Sequence, residues 1–266
     1  MNIIKTERNN SLNMFGSERR YFKRIVRSMV CVLLLTSTTP ATAQQRLADH
    51  NTIGWLVYTG TFQVKPRLSL HTEYQWRRVN LLKSWQQSLI RGGINYAVRK
   101  DISLHAGYAF AETFPYGNFP VTTAFPEHRI YQQILLKNPI GIADVSHRFT
   151  LEQRFLGNIT TIDNRENLTW FFLNRMRYRV KVEIPINKKG WTLALQDELF
   201  IGWGKNIGAN IFDQNRVGLL LGYKVKQSVK FEAGYISQIL QQAKRVNDKA
   251  VFQYNSGFML ASHLSF

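Results

Sequence analysis

Residues 68–77 read Leu-Ser-Leu-His-Thr-Glu-Tyr-Gln-Trp-Arg, a strict alternation. Leu68, Leu70, Thr72, Tyr74 and Trp76 share one face; Ser69, His71, Glu73, Gln75 and Arg77 share the other. A period of two belongs to a β-strand whose two faces meet different environments. The pattern returns at 102–111, where Ile102, Leu104, Ala106, Tyr108 and Phe110 oppose Ser103, His105, Gly107, Ala109 and Ala111. It returns at 213–225, with Val217, Leu219, Leu221 and Tyr223 against Arg216, Gly218, Leu220 and Gly222, and again at 229–236. Segments of this kind cover 52–64, 68–78, 85–98, 102–112, 128–138, 145–155, 168–184, 191–201, 213–225, 229–238 and 250–266.

The connections alternate in length. Lys65-Pro66-Arg67, Arg99-Lys100-Asp101 and Lys226-Gln227-Ser228 are tight turns, whereas 113–127 is a long loop holding Pro115, Gly117 and Pro120. Short turns at one end and longer loops at the other follow the plan of an antiparallel transmembrane β-barrel, and strands of about ten residues suit a tilted crossing. A soluble β-sandwich also gives period two, but its strands are usually about five or six residues long. The closing stretch alternates as well: Phe252, Tyr254, Phe258, Leu260, Leu264 and the terminal Phe266 share a face. Leu264 and Phe266 are therefore expected to form an assembly signal read by the barrel-assembly machinery.

Eleven segments are an odd number, whereas bacterial single-chain barrels normally have even counts. The reading is therefore an all-β barrel of about twelve strands, with Gln44–Asn51 supplying a short twelfth strand or threading the lumen.

The start of the chain is written differently. Arg19, Arg20, Lys23, Arg24 and Arg27 precede the apolar run 29–35, which is followed by Ala41-Thr42-Ala43. Charge, apolar run and small residues in that order make a secretory signal. Residues 1–43 are expected to be removed, leaving 44–266 as an outer-membrane barrel domain. Of 35 Lys+Arg and 17 Asp+Glu in the 266 residues, seven cations and two carboxylates precede Gln44, leaving 28 and 15. The one cysteine, Cys31, lies in the expected leader, so a disulfide framework is excluded. No stretch reaches the roughly 18 apolar residues of a spanning helix.

The densest charge lies at 174–183, where Arg175, Arg177, Arg179 and Lys181 face one way and Met176, Tyr178, Val180 and Val182 the other. On a lipid face each cation would cost about 2–4 kcal/mol near the midplane, so the row is expected to face the lumen. Arg148, Thr150, Glu152 and Arg154 share the polar face of 145–155; Glu198 and Arg216 bring further charge from 191–201 and 213–225. The inward set holds about twelve cations, including Arg77, Arg91, Arg129, Lys224 and Lys230, but four carboxylates: Glu73, Glu152, Glu198 and Glu232. Two readings follow. The lumen is either an ion-pair network that holds the barrel shut or a cationic constriction favouring anions, since charged rings set pore selectivity.

Enzymatic readings are thinner. His263-Leu264-Ser265 puts a base and a hydroxyl on one strand face, an arrangement resembling that of outer-membrane lipid A deacylases. It lies at the wrong end of the strand for outer-leaflet work, and no carboxylate follows it in sequence. His71 and His105 fall one strand apart, but no third metal ligand accompanies them. Asp163-Asn164-Arg165-Glu166 is loop polarity without the spacing of a calcium loop. No cofactor is expected. The cations alternate with apolar residues, which argues against a nucleic-acid partner; outer-membrane lipid and lipopolysaccharide phosphates suit the rim cations better.

Several short motifs carry a family resemblance: Gly54-Trp55 opening a strand, Glu73-Tyr74-Gln75-Trp76-Arg77, the run Arg148–Arg154, Asp197-Glu198-Leu199-Phe200, Asp213-Gln214-Asn215-Arg216 and Ala233-Gly234-Tyr235. Together they resemble domain-of-unknown-function family 2490 across the whole expected mature chain. The resemblance implies an exported outer-membrane barrel of Gram-negative bacteria. It carries over no functional residue.

Overall fold

The computed structural model describes residues 46–162, 165–208 and 210–266. The expected leader and its cleavage point lie outside these residues, as do Asp163 and Asn164. Eleven strands and no helix are present among the described residues: β1 (Arg46–Lys65), β2 (Leu68–Val79), β3 (Ser84–Ala97), β4 (Ile102–Thr113), β5 (Phe125–Ile140), β6 (Ala143–Ile162), β7 (Arg165–Pro185), β8 (Trp191–Trp203), β9 (Phe212–Lys226), β10 (Val229–Val246) and β11 (Lys249–Ser265). Each covers one of the alternating segments, with 85–98 and 250–266 each running one residue past their strands. They close into a barrel in which every strand pairs with its sequence neighbours and β1 pairs with β11.

The expected twelfth strand is absent among the described residues. Residues 46–51 extend β1 instead, and β1 runs parallel to β11 from Arg46↔Ala250 to Thr61↔Ser265. An odd strand count cannot close antiparallel throughout, because its first and last strands point the same way; the parallel seam resolves the parity. The register at this seam brings the Ile53 carbonyl against Gly257. A Cβ on residue 257 would lie 1.8 Å from that oxygen, so only glycine fits. Gly257→Ala is expected to cost about 1–3 kcal/mol through overpacking. The check is a lower temperature for loss of the compact electrophoretic mobility of the folded barrel.

The turns after β1, β3, β5 and β9 and the five-residue β7–β8 connection (186–190) share one end with the chain terminus, where Phe266 donates its N–H to Thr61 O (2.8 Å) and stacks on Phe62 at 4.8 Å. At one of these turns Arg99 grips Asp101 at 2.7 Å and holds its carboxyl below the ordinary carboxylate range. The other end carries the longer connections and Arg46. Its two-residue β10–β11 turn puts Asn247 and Asp248 at φ of 48° and 57°, as a type I′ hairpin requires.

Burial follows the pleat. Ser69, Glu73 and Arg77 are buried while Leu70 and Tyr74 are exposed; His105, Ala109 and Ala111 are buried while Leu104 and Tyr108 are exposed. The outer wall is apolar around the barrel, with Ile90, Ile94, Ile130, Ile134, Leu151, Leu195, Leu219 and Leu260 all exposed. The inside is polar over most of the wall. One sector differs: Ile53, Trp55, Val79, Ala194, Leu220, Ile236 and Met259 pack into an apolar cluster inside the barrel. Part of the lumen is therefore filled like a protein core.

Candidate functional site: the charged lumen

The hydrogen-bonded register of β6, β7 and β8 aligns Glu152 with Arg175 and Arg179 with Glu198, all pointing inward. Arg177 is the hub. Its Nη1 donates to Glu152 Oε1 at 2.6 Å, and its Nη2 and Nε donate to Glu198 Oε1 at 2.7 and 3.2 Å. Arg175 donates through Nε to the other Glu152 oxygen (2.7 Å) and through Nη1 to Asp213 Oδ2 (2.6 Å). Arg148 Nη2 reaches Glu198 at 3.2 Å. Glu152 is 1% exposed and Arg177 5%, so these are desolvated, charge-assisted bonds, the stronger class.

Three carboxylates outside the inventory read from the sequence also pair with lumen cations. Glu127 is fully enclosed and pairs with both Arg129 (2.6 Å) and Arg154 (2.5 Å). Asp213 takes Arg175, and Glu183 takes Lys230 at 2.6 Å and Lys181 at 3.4 Å. Glu232 adds bonds to Lys181 (2.6 Å) and Lys230 (3.0 Å). Glu127 was missed because it precedes the alternating segment 128–138. Asp213 lies on the parity of the outward Val217 and folds in at the strand mouth. Pairing thus neutralises much of the expected cation excess. Arg179 and Arg216 also face the lumen, but among the described residues neither has a carboxylate within ion-pair distance, and Arg179 Nε is buried without a partner.

Aromatic residues inside the barrel were not expected. Phe200 is fully buried, and the guanidinium carbons of Arg175, Arg177 and Arg216 lie over its ring at 5.1, 4.7 and 4.6 Å. Cation–π contacts of this kind gain strength when desolvated. The available signal was parity: Phe200 stands two residues from Glu198 and therefore shares its face. Trp55 similarly receives Arg77 at 4.2 Å and Arg216 at 5.1 Å.

The two histidines meet as their spacing suggested, with ring centroids 5.1 Å apart. Each is bound to protein. His71 Nε2 lies 3.4 Å from Glu73, and His105 bonds Tyr131 Oη at 2.7 Å and Asn95 through its other nitrogen. At the tight-turn end, His263 does have an orienting carboxylate, contrary to the expectation from sequence. Its Nε2 lies 3.0 Å from Glu232 Oε2, supplied by the neighbouring strand β10. Among the described residues the His263 ring bonds Glu232 and not Ser265, so base and hydroxyl are not assembled. Leu264 lies in the wall against Val229 and Gly60.

Loop 114–124, expected only as a long surface connection, folds into the barrel mouth. Tyr116 Oη donates to Gln253 Oε1 (2.8 Å) and accepts from Gln86 and Asn255 (3.2 and 3.1 Å). The Asn118 N–H donates to buried Asp49 (3.2 Å), and Phe119 O accepts from Gln242 (2.7 Å). Two cavities flank the charge belt: one of about 920 Å³ at the long-loop end and one of about 330 Å³ at the tight-turn end. They share no lining residue among those described. Glu73, Arg91, Arg148, Glu152, Arg177 and Glu198 line neither.

The family model described as protein of unknown function (DUF2490) matches residues 52–249, and the chain belongs to that family. A search of curated proteins finds no match.

Proposed function

We propose that this member of the DUF2490 family is an integral barrel of the bacterial outer membrane, without enzymatic activity, whose lumen is shut at mid-height by its own arginine–carboxylate belt. The observation that carries this reading is the separation of the two cavities by buried, mutually bonded charges. The apolar outer wall supports the membrane assignment, since contiguous exposed apolar surface of this extent is rare on monomeric soluble proteins. In this reading the tight turns and Phe266 face the periplasm, and the long loops with Arg46 face outward. Outer-membrane lipid contacts the wall, lipopolysaccharide phosphates meet the rim cations, and the assembly machinery reads Leu264 and Phe266. Closure is the favoured reading of the lumen: the recovered carboxylates pair with the arginines of the belt, and the belt residues Glu152, Arg177 and Glu198 line neither cavity.

Conductance in a planar bilayer tests closure. Purified protein is expected to give no stepwise current. Persistent anion-selective steps would establish the cationic constriction instead and retire the closed barrel.

Processing is a separate expectation. Protein recovered from outer-membrane fractions should begin at or near Gln44, as N-terminal sequencing will read. A chain that retains residues 29–35 would remove the export argument.

A further inference from the structure

The larger cavity contains two arginines that differ from the rest of the lumen. Arg77 is 5% exposed and is held by neutral amides, its Nε donating to Gln75 Oε1 at 2.9 Å and its Nη1 to Gln87 Oε1 at 2.7 Å. Arg216 donates through Nε and Nη2 to Gln214 Oε1 at 3.2 and 3.0 Å. Both share the Trp55 ring, which is itself fixed by an indole N–H bond to Gln86 Oε1 at 2.7 Å. The other three arginines lining the cavity, Arg129, Arg154 and Arg175, each have a carboxylate at 2.6 Å or less. Among the described residues, Arg77 and Arg216 have none within ion-pair distance. Two positive charges are thus held in place by groups that position them without neutralising them.

Apolar side chains also line this cavity, among them Phe114, Phe125, Leu156, Phe171 and Leu240. A cavity of about 920 Å³ falls at the upper end of the usual range for small-molecule sites, roughly 300–1,000 Å³. Fixed charge beside apolar surface selects a ligand that joins an anionic group to an apolar body. Prepositioned guanidiniums bind a carboxylate or phosphate through charge-assisted bonds, and their prior ordering lowers the entropic cost of binding.

We propose that this cavity binds an amphiphilic organic anion, with its carboxylate or phosphate monoester on Arg77 and Arg216 and its apolar or aromatic body along the Phe114–Leu156–Phe171 wall. The site depends on the cavity and not on closure of the belt below it. A belt that conducts would show in bilayer currents and leave this affinity unmoved.

Calorimetry on the full barrel in lipid nanodiscs, with empty nanodiscs as reference, tests the proposal. The probes are 2-naphthoate, 2-naphthyl phosphate, uncharged 2-naphthylmethanol, acetate and inorganic phosphate. The naphthyl anions are expected to bind at least about tenfold more tightly than the alcohol, acetate or inorganic phosphate, a factor worth about 1.4 kcal/mol. The double variant Gln87→Glu/Gln214→Glu gives each arginine a carboxylate at nearly constant volume and is expected to lower naphthoate affinity at least about tenfold. If that variant loses its folded mobility, Leu156→Trp replaces it. This substitution fills the apolar wall without touching the charges and must weaken naphthoate to a similar degree. Equal binding of the alcohol, equal binding of acetate, unchanged affinity in a folded variant, or no naphthoate binding up to about 10 mM overturns the proposal.

Discussion

Arg177→Glu is expected to cost the barrel at least the roughly 3–5 kcal/mol that follows breaking a buried ion pair. The native guanidinium lies 2.6 Å from Glu152 and 2.7 Å from Glu198. Charge reversal removes both bonds and puts a third carboxylate beside two that are 1% and 7% exposed. Arg175 still holds Glu152 and Arg148 still reaches Glu198, which limits the damage to this one hub. The measurement is the urea midpoint for loss of the heat-modifiable folded form, compared with wild type. A midpoint shift that corresponds, through the denaturant m value, to under about 0.5 kcal/mol would place residue 177 among ordinary surface positions and remove the belt as a structural element. Conductance of the same variant separates the two lumen readings. A closed network gives a destabilised and silent barrel, whereas a constriction gives a folded barrel with altered anion preference.

The architecture was legible because alternation is a local property. Each of the eleven segments could be read without knowing its neighbour, and hydrogen-bonded pairing then extended several of them, as in β6 and β7, which continue to Ile162 and start at Arg165. Closure was not legible. Whether β1 meets β11 parallel or through an intervening strand depends on two segments at opposite ends of the chain, and no local pattern encodes that pairing. A sequence trace of it is Gly257, whose missing Cβ makes room for the Ile53 carbonyl.

The lumen divides in the same way. Arg175, Arg177, Arg148 and Glu152 were placed inward by parity alone, because charge on one side of a strand leaves little choice. Trp55 carries no such mark, because its neighbours two positions away, Ile53 and Val57, are both apolar; Phe200 was readable only through Glu198. Asp213 sits at a register shift in the strand mouth, where the pleat no longer dictates direction, whereas Glu127 keeps the inward parity of Arg129 but lies just before the segment read as alternating. Arg216 was read as one more cation of the network. Its carboxylate-free partners, Gln214 and two aromatic rings, appear only when three strands are brought together.

Leu219→Arg is the substitution that decides what surrounds the wall. Leu219 is 48% exposed, and it stands opposite Leu195 on β8 and Tyr235 on β10, in the middle of an apolar surface. In water, an exposed leucine replaced by arginine changes stability by no more than about 0.5 kcal/mol. In a bilayer, the same cation near the midplane costs about 2–4 kcal/mol, because neither lipid nor the opposing leucine can solvate it. The expected result is a loss in that larger range for protein refolded into lipid vesicles, read from the denaturant midpoint, together with less folded protein in outer-membrane fractions. Lys226→Arg, at the tight-turn end of the same strand, is the control expected to leave both unchanged. A wall that accepts Leu219→Arg without loss in lipid does not face hydrocarbon. The apolar belt would then have to be covered by protein, and the membrane assignment would fall while the barrel itself stood.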